Sequence, residues 1–232
     1  MIQVTNLLKK FGAKTAVNIA EFKVDPGEIV GIAGNNGAGK TTLLRLMLDL
    51  LKPDKGSVIS KGIPVYQSEH WKTYTGSYID TNFLIDFLKP EEYFEFIGDL
   101  YNIKGEKLLR KLETFEPFMN HEILGQHKYI RQLSSGNKHK VGIIGALIPE
   151  SEVVILDEPF NFLDPRSQII LKEILKNLSQ NSNTAIIISS HNLNHISDLC
   201  SRIILMENGV IIKNFMNSKE TMTEIELYFS VS

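Results

Sequence analysis

Cysteine is almost missing from this 232-residue chain, with Cys200 standing alone. A lone thiol excludes an internal disulfide framework and suits a reducing compartment. An excess of charge of either sign is missing too. The 25 Lys and Arg against 27 Asp and Glu leave a formal net charge of −2, which is not the electrostatic footprint of a nucleic-acid binder. No block of Lys and Arg is long enough to act as a polybasic membrane anchor. No apolar run approaches the ~20 residues of a membrane-spanning helix; the longest, Val141 to Ile148, stops at Pro149. Met1 to Thr5 lacks the charged and apolar regions of a secretory signal. Internal repeats, low-complexity tracts and sustained heptads are also absent.

What the chain does have is apolar material, 43% of its residues, enough for a sizeable core. The pattern alternates strands and helices and predicts an α/β architecture. Val17 to Val24 reads as a strand stopped by Asp25-Pro26-Gly27, and Ile29 to Ala33 as a short strand entering a glycine-rich loop. Thr41 to Leu51 follows as a helix with Leu44, Met47, Leu48 and Leu51 on one face. Val153 to Leu156 and Ala185 to Ile188 are unbroken apolar runs, as strands buried on both faces of a parallel sheet require. Arg202 to Met206 and Val210 to Asn214, split by Glu207-Asn208-Gly209, predict a hairpin. Between Tyr78 and Ile148 the pattern turns helical, over Glu91 to Tyr101, Glu106 to Phe115 and Ser134 to Ile148. The expected organisation is one domain, residues 1–232, with a core of 1–77 and 149–232 and a helical subdomain of about 78–148.

The strongest chemical signal is Gly34-Asn35-Asn36-Gly37-Ala38-Gly39-Lys40-Thr41-Thr42, a complete G-x-x-x-x-G-K-[ST] pattern between a buried strand and a helix. Its glycines let backbone N–H groups curl around phosphate oxygens. The helix that follows presents its positive end to the same phosphates. Lys40 adds a cation near the β- and γ-phosphates, and the Thr41 hydroxyl suits Mg²⁺. The second signal is the strand Val153 to Leu156 ending in Asp157-Glu158-Pro159. Ligands of open α/β sheets bind at the carboxyl ends of strands. There Asp157 can hold a metal through water, and Glu158 can polarise an attacking water.

These two motifs define a nucleotide site without choosing a family. Leu133-Ser134-Ser135-Gly136-Asn137 chooses it, because the segment resembles the ABC signature, usually Leu-Ser-Gly-Gly-Gln. Asn161-Phe162-Leu163-Asp164 resembles the D-loop, and His191, after Ser189-Ser190, sits where the switch histidine is found. The resemblance runs from Ile2 to about Phe215 and implies a P-loop NTPase core of ABC type with an antiparallel β lobe and an inserted helical subdomain. It implies ATP and Mg²⁺ as ligands, and Glu158, His191 and Lys40 as catalytic residues. His191 would contact the γ-phosphate or orient the water. Phe11 lies where the family places an aromatic against adenine; the alternative is packing near Val4 or Val17. Ser134 can cap the helix running to Ile148, and in ABC proteins that helix end faces the nucleotide held by the partner's loop. The resemblance thus implies a second nucleotide-binding subunit, a homodimer, with Ser134, Ser135, Gly136 and Asp164 completing each site. It also implies a membrane-spanning permease, with the chain peripheral at the cytoplasmic face.

The match departs from the family where relatives carry a Q-loop glutamine after a strand like Ser77-Tyr78-Ile79. Here Asp80-Thr81-Asn82 occupies the region, with Thr81 or Asn82 as the candidate replacement. Phe83, Leu84, Ile85, Phe87 and Leu88 follow, either as a docking patch for the permease or as packing inside the helical subdomain. Chromosome and repair relatives split the two halves of the site with a long coiled coil, and Lys40 and Ser134 stand too close in sequence for one. Two other readings are an ABC ATPase serving soluble machinery and a regulatory module with little hydrolysis. The short linkers and the lack of a long C-terminal extension suggest a compact exporter-type subunit.

Overall fold

Strand β1 (Ile2–Phe11) alternates buried Ile2 and Val4 with exposed Gln3 and Thr5, the signature of a sheet with one wet face. A two-residue turn, Gly12-Ala13, returns the chain as β2 (Lys14–Val24), with Phe11 opposite Lys14. β4 (Lys55–Ser60) pairs on the other side of β1, and β5 (Ile63–Pro64) on β4. This antiparallel sheet has the order β2-β1-β4-β5. The computed structural model describes residues 1–218, so the stretch 219–232 of the expected core lies outside the described residues.

The second sheet has the order β10-β9-β3-β8-β7-β6. β3 (Ile29–Ala33), β6 (Thr75–Tyr78), β7 (Val153–Leu156), β8 (Ala185–Ser190) and β9 (Arg202–Glu207) run parallel, and β10 (Val210–Met216) closes one edge antiparallel. β3, β7 and β8 are buried throughout, as their unbroken apolar runs require. The β9–β10 turn is Asn208-Gly209, both at positive φ, 48° and 82°, the twist that suits a two-residue hairpin. Glu207 therefore belongs to β9 and not to the turn.

Period-two alternation divides the central sheet between two cores. Val30, Ile32, Val153, Ile155 and Ile187 face the antiparallel sheet and Leu43, Leu44 and Met47 of α1 (Lys40–Met47). Ile29, Ala33, Val154, Leu156 and Ile188 face the opposite way, toward the remaining helices. Helix α1 ends at Met47, four residues short of the predicted Leu51. Leu48 still donates to Leu44 O, but Asp49 turns left-handed at φ +50° and Leu50 points into solvent.

Between β6 and β7 the chain forms α2 (Pro90–Leu100), α3 (Glu106–Thr114), α4 (Glu116–Met119) and α5 (Ser135–Leu147). α6 (Pro165–Ser182) then connects β7 to β8, a helix the motif reading passes over. Its buried stripe is Ser167, Leu171, Leu175 and Ser179. α7 (Leu193–Ser197) is a short turn after β8.

Helix α5 lies close against β6. A Cβ on Gly142 would stand 2.1 Å from the Tyr78 ring, so only glycine permits that approach. One turn earlier, buried His139 sits 2.9 Å from the Tyr78 hydroxyl through Nδ1 and 3.1 Å from Pro159 O through Nε2. A carbonyl only accepts, so Nε2 carries the proton and Nδ1 accepts from Tyr78. Burial pushes the His139 pKa down from 6.5 to about 4.

Because the folded value is depressed, the unfolded chain binds the extra proton first. The contribution of neutral His139 is full above pH 6.5 and is lost as pH falls toward 4, on the order of 3 kcal/mol in all. Chemical denaturation across that window will show stability falling with acid in the parent. In His139→Gln that component of the slope will be missing; parallel slopes in the two proteins would contradict the assignment.

Candidate functional site

The loop Gly34 to Gly39 leaves β3 and enters α1, so the chain order strand–loop–helix puts its backbone at the carboxyl edge of the parallel sheet. Gly39 is held at φ +105°, and a Cβ there would meet Ala16 O at 2.4 Å. Glycine thus lets the loop rest directly on β2. Lys40 is 6% exposed, and its ammonium donates to Gly34 O at 2.7 Å and Asn35 O at 3.3 Å.

Parallel pairing places β7 two strands from β3, with β8 between them. Asp157 follows directly on β7 and receives a hydrogen bond from Thr41 Oγ1 on its Oδ2, at 2.6 Å. Its Oδ1 accepts from Ser189 Oγ. Burial raises the pKa of Asp157, while the bonds from Ser189 and Thr41 oppose that rise. Glu158 sits at φ +47°, a region sparsely populated by residues with a side chain. Its Oε1 lies 3.3 Å from Lys40 Nζ and its Oε2 2.9 Å from His191 Nδ1. The sequence candidates Lys40, Thr41, Asp157, Glu158 and His191 therefore meet at one point.

Thr41 and Asp157 offer a hydroxyl and a carboxylate, hard oxygen donors of the kind Mg²⁺ accepts. Among the described residues, no group of three or more His, Cys, Asp or Glu could cage a metal. A Mg²⁺ ion at Thr41 and Asp157 would complete its shell with phosphate oxygens and water, its usual mode of binding.

An open cavity of about 300 Å³ borders the loop, lined by Phe11, Lys14, Ala16, Asn36 through Thr42, and Glu158. Phe11 is 50% exposed and stands at the rim of this cavity, unlike the buried Val4 and Val17 against which it was an alternative packing partner. An adjoining cavity of about 270 Å³ adds Asn35, Glu207 at the end of β9 and the turn residue Asn208. Lys14 lines both cavities, and no sequence motif marks it. Ser189 was likewise unassigned; its only signal is a polar residue closing the apolar run Ile186 to Ile188.

Ser134, Ser135 and Gly136 are not among the walls of either cavity. Ser134 caps α5, its Oγ accepting from Asn137 N at 3.2 Å, and Ser134 and Ser135 are exposed. Gly136 packs beside the segment after Glu158, where a Cβ would meet Phe162 O at 2.7 Å. Phe162 is 71% exposed at φ +61°. Asp164 caps α6, accepting from Ser167 Oγ at 2.5 Å and Ser167 N at 3.0 Å, and these bonds lower its pKa. Its carboxylate is thus engaged within its own chain.

In the segment without glutamine, Asp80 caps a short 3₁₀ turn, Thr81–Phe83, with Oδ1 accepting from Asn82 N at 2.7 Å. Its Oδ2 lies 3.9 Å from Arg45 of α1. The apolar cluster divides: Phe83 and Phe87 are exposed, whereas Leu84, Ile85 and Leu88 pack against the helical core.

The ABC transporter family model matches residues 17–161. An uncharacterized ABC transporter ATP-binding protein of Methanocaldococcus jannaschii is 36% identical, over 90% of this chain and 74% of that protein. A solved ATP-binding subunit of an ABC transporter is 25% identical with a TM-score of 0.86, over 98% of this chain and 94% of that one. A dimeric bacterial ABC transporter cassette, 22% identical over 94% and 99% of the two chains, has the same fold with a TM-score of 0.83. With its phosphate loop, acid pair and histidine assembled at one sheet edge, the chain belongs to the ABC transporter family as an ATP-binding subunit that energises transport.

Proposed function

We propose that this chain hydrolyses MgATP in composite sites shared by two copies and so drives a separate membrane-spanning permease. The observation that carries hydrolysis is the Glu158 carboxylate, suspended between Lys40 and His191 at the mouth of the phosphate loop. Lys40 and the loop amides hold the phosphates, and Thr41 and Asp157 would hold Mg²⁺. When bound, the ion offsets negative charge on the phosphates. Nucleotide entering the loop competes for Lys40. Glu158 is then released to accept a proton from a water in line with the γ-phosphate. His191 keeps Glu158 oriented through its ring nitrogen and backbone N–H, the latter at 3.3 Å.

Pairing is supported by the position of the signature. α5 packs on edge strand β6, on the far side of β7 and β8 from β3, and its exposed N-terminus borders neither cavity beside the loop. A second copy would supply that helix end to the nucleotide, where unpaired N–H groups favour an anion. In this arrangement residues 78–148 act as a unit carrying the signature against the α/β core. Phe11 would stack on the base. Among the described residues no helix is long and apolar enough to cross a membrane. The exposed Phe83 and Phe87 offer a docking point for a permease, which would hold the chain at the cytoplasmic face.

Steady-state ATPase activity per chain will rise with protein concentration, and Glu158→Gln will lower it by about 100-fold or more while retaining ATP and eluting as a dimer. Parental turnover in that variant would remove Glu158 from its role. Ser134→Asp separates capping from nucleotide contact, because Asp caps a helix as well as Ser yet sets a negative charge toward the partner's phosphates. Its melting temperature and the ATP affinity of the isolated chain will stay near parental, and hydrolysis will fall at least about tenfold. Unchanged hydrolysis would leave Ser134 as a helix cap alone.

A further inference from the structure

Ser189, which has no assigned role beyond preceding Ser190 and His191, is wholly buried, at 0% exposed, one residue from the end of β8. The three residues before it, Ile186 to Ile188, are equally buried and apolar, so a hydroxyl at this depth requires partners. It has two. Ser189 Oγ donates to Asp157 Oδ1 and accepts from Glu158 N at 2.9 Å. Neither role can be exchanged, since a carboxylate only accepts and an amide N–H only donates. The register explains the meeting: β8 pairs with β7 through Leu156 and Ile188, and Ser189 also stands opposite Ile32 of β3. One hydroxyl thus grips two consecutive acidic residues from the strand between the phosphate-loop strand and the acid strand.

We infer that Ser189 is a positioning residue for the proposed hydrolysis. It leaves Asp157 Oδ2 to face Thr41, and it holds the backbone of Glu158 in the left-handed conformation that aims its carboxylate at Lys40 and His191. The inference rests on the roles given above to Asp157 and Glu158. Hydrogen-bond partners of metal-ligating carboxylates change metal affinity or activity by about 10- to 100-fold when removed.

The test compares Ser189→Ala, Ser189→Cys and Ser189→Thr in the full chain by melting temperature, kcat and KM. A fourth measurement is the affinity for Mn²⁺, by electron paramagnetic resonance, with a non-hydrolysable ATP analogue bound. Ala and Cys, which lose the strong hydrogen bonds with little change of shape, will lower kcat about 10- to 100-fold and Mn²⁺ affinity about tenfold. KM will stay within about twofold. Thr, which keeps the hydroxyl, will track the parent. Parental kcat and Mn²⁺ affinity in Ala and Cys overturn the inference, as does a folded Thr variant as impaired as Ala. If Thr does not fold, Ala and Cys decide. If the parent itself does not turn over ATP, the hydrolysis reading fails separately. The Mn²⁺ titration then decides alone whether Ser189 supports Asp157, and parental affinity in Ala overturns it.

Discussion

Parallel pairing of β8 with β3 on one side and β7 on the other brings three chain segments to a single edge of the central sheet. The phosphate loop leaves β3, the acid pair leaves β7, and His191 leaves β8. Each strand is too apolar to survive outside a sheet covered on both faces. The two cores that bury them also fix where these loops emerge. A slip of register between β7 and β8 would exchange which residues face each core and would separate Ser189 from Asp157. The chemistry of the site is therefore a consequence of how Ile and Val residues pack several residues earlier.

At that edge, charge is balanced by side chains and carbonyls of the chain itself. Lys40 lies between carbonyls of its own loop and the carboxylate of Glu158, and Asp157 is matched to two hydroxyls. Burying these groups unpaired would cost several kcal/mol each, and these partners offset that cost. Phosphate oxygens offer Lys40 stronger, doubly charged partners. The left-handed backbone of Glu158 persists because neighbours determine it from both sides: Ser189 on its N–H, and His139 on the carbonyl of Pro159. Strain at such a residue is usual where geometry serves function.

The same contacts link parts of the molecule with different tasks. His139 belongs to the helix that begins at Ser134, yet its ring touches the end of β6 and the segment following Glu158. Gly136 packs on Phe162 in that segment, and Asp164 a little further on starts α6. A displacement of α5 by a nucleotide at its N-terminus would be felt within one side chain of the acid pair. Tight packing of this kind passes on small shifts because cores do not deform smoothly.

Much of this was legible in the sequence because it is local. The phosphate loop is a run of consecutive residues in which Gly34, Gly37 and Gly39 take the positive φ that favours glycine. Asp157-Glu158 ends an unmistakable buried strand, and Ser134 precedes a helix as a cap does. The alternation of strand and helix patterns likewise announced an α/β sheet with a helical stretch between β6 and β7. α1 was read too long because its apolar face continues past Met47, whereas the left-handed turn at Asp49 leaves no such trace. Contacts across long separations were beyond reach. Thr41 and Asp157 meet over 116 positions and Asp157 and Ser189 over 32, and only sheet order and register decide which distant side chains share an edge. Lys14 enters the cavity for the same reason, through the packing of β2 under the loop. The sequence by itself determined the candidate groups and the strand, loop and helix that carry them. The tertiary structure decided which of them touch, because burial in two opposed cores, and no local preference, sets the register of the parallel strands.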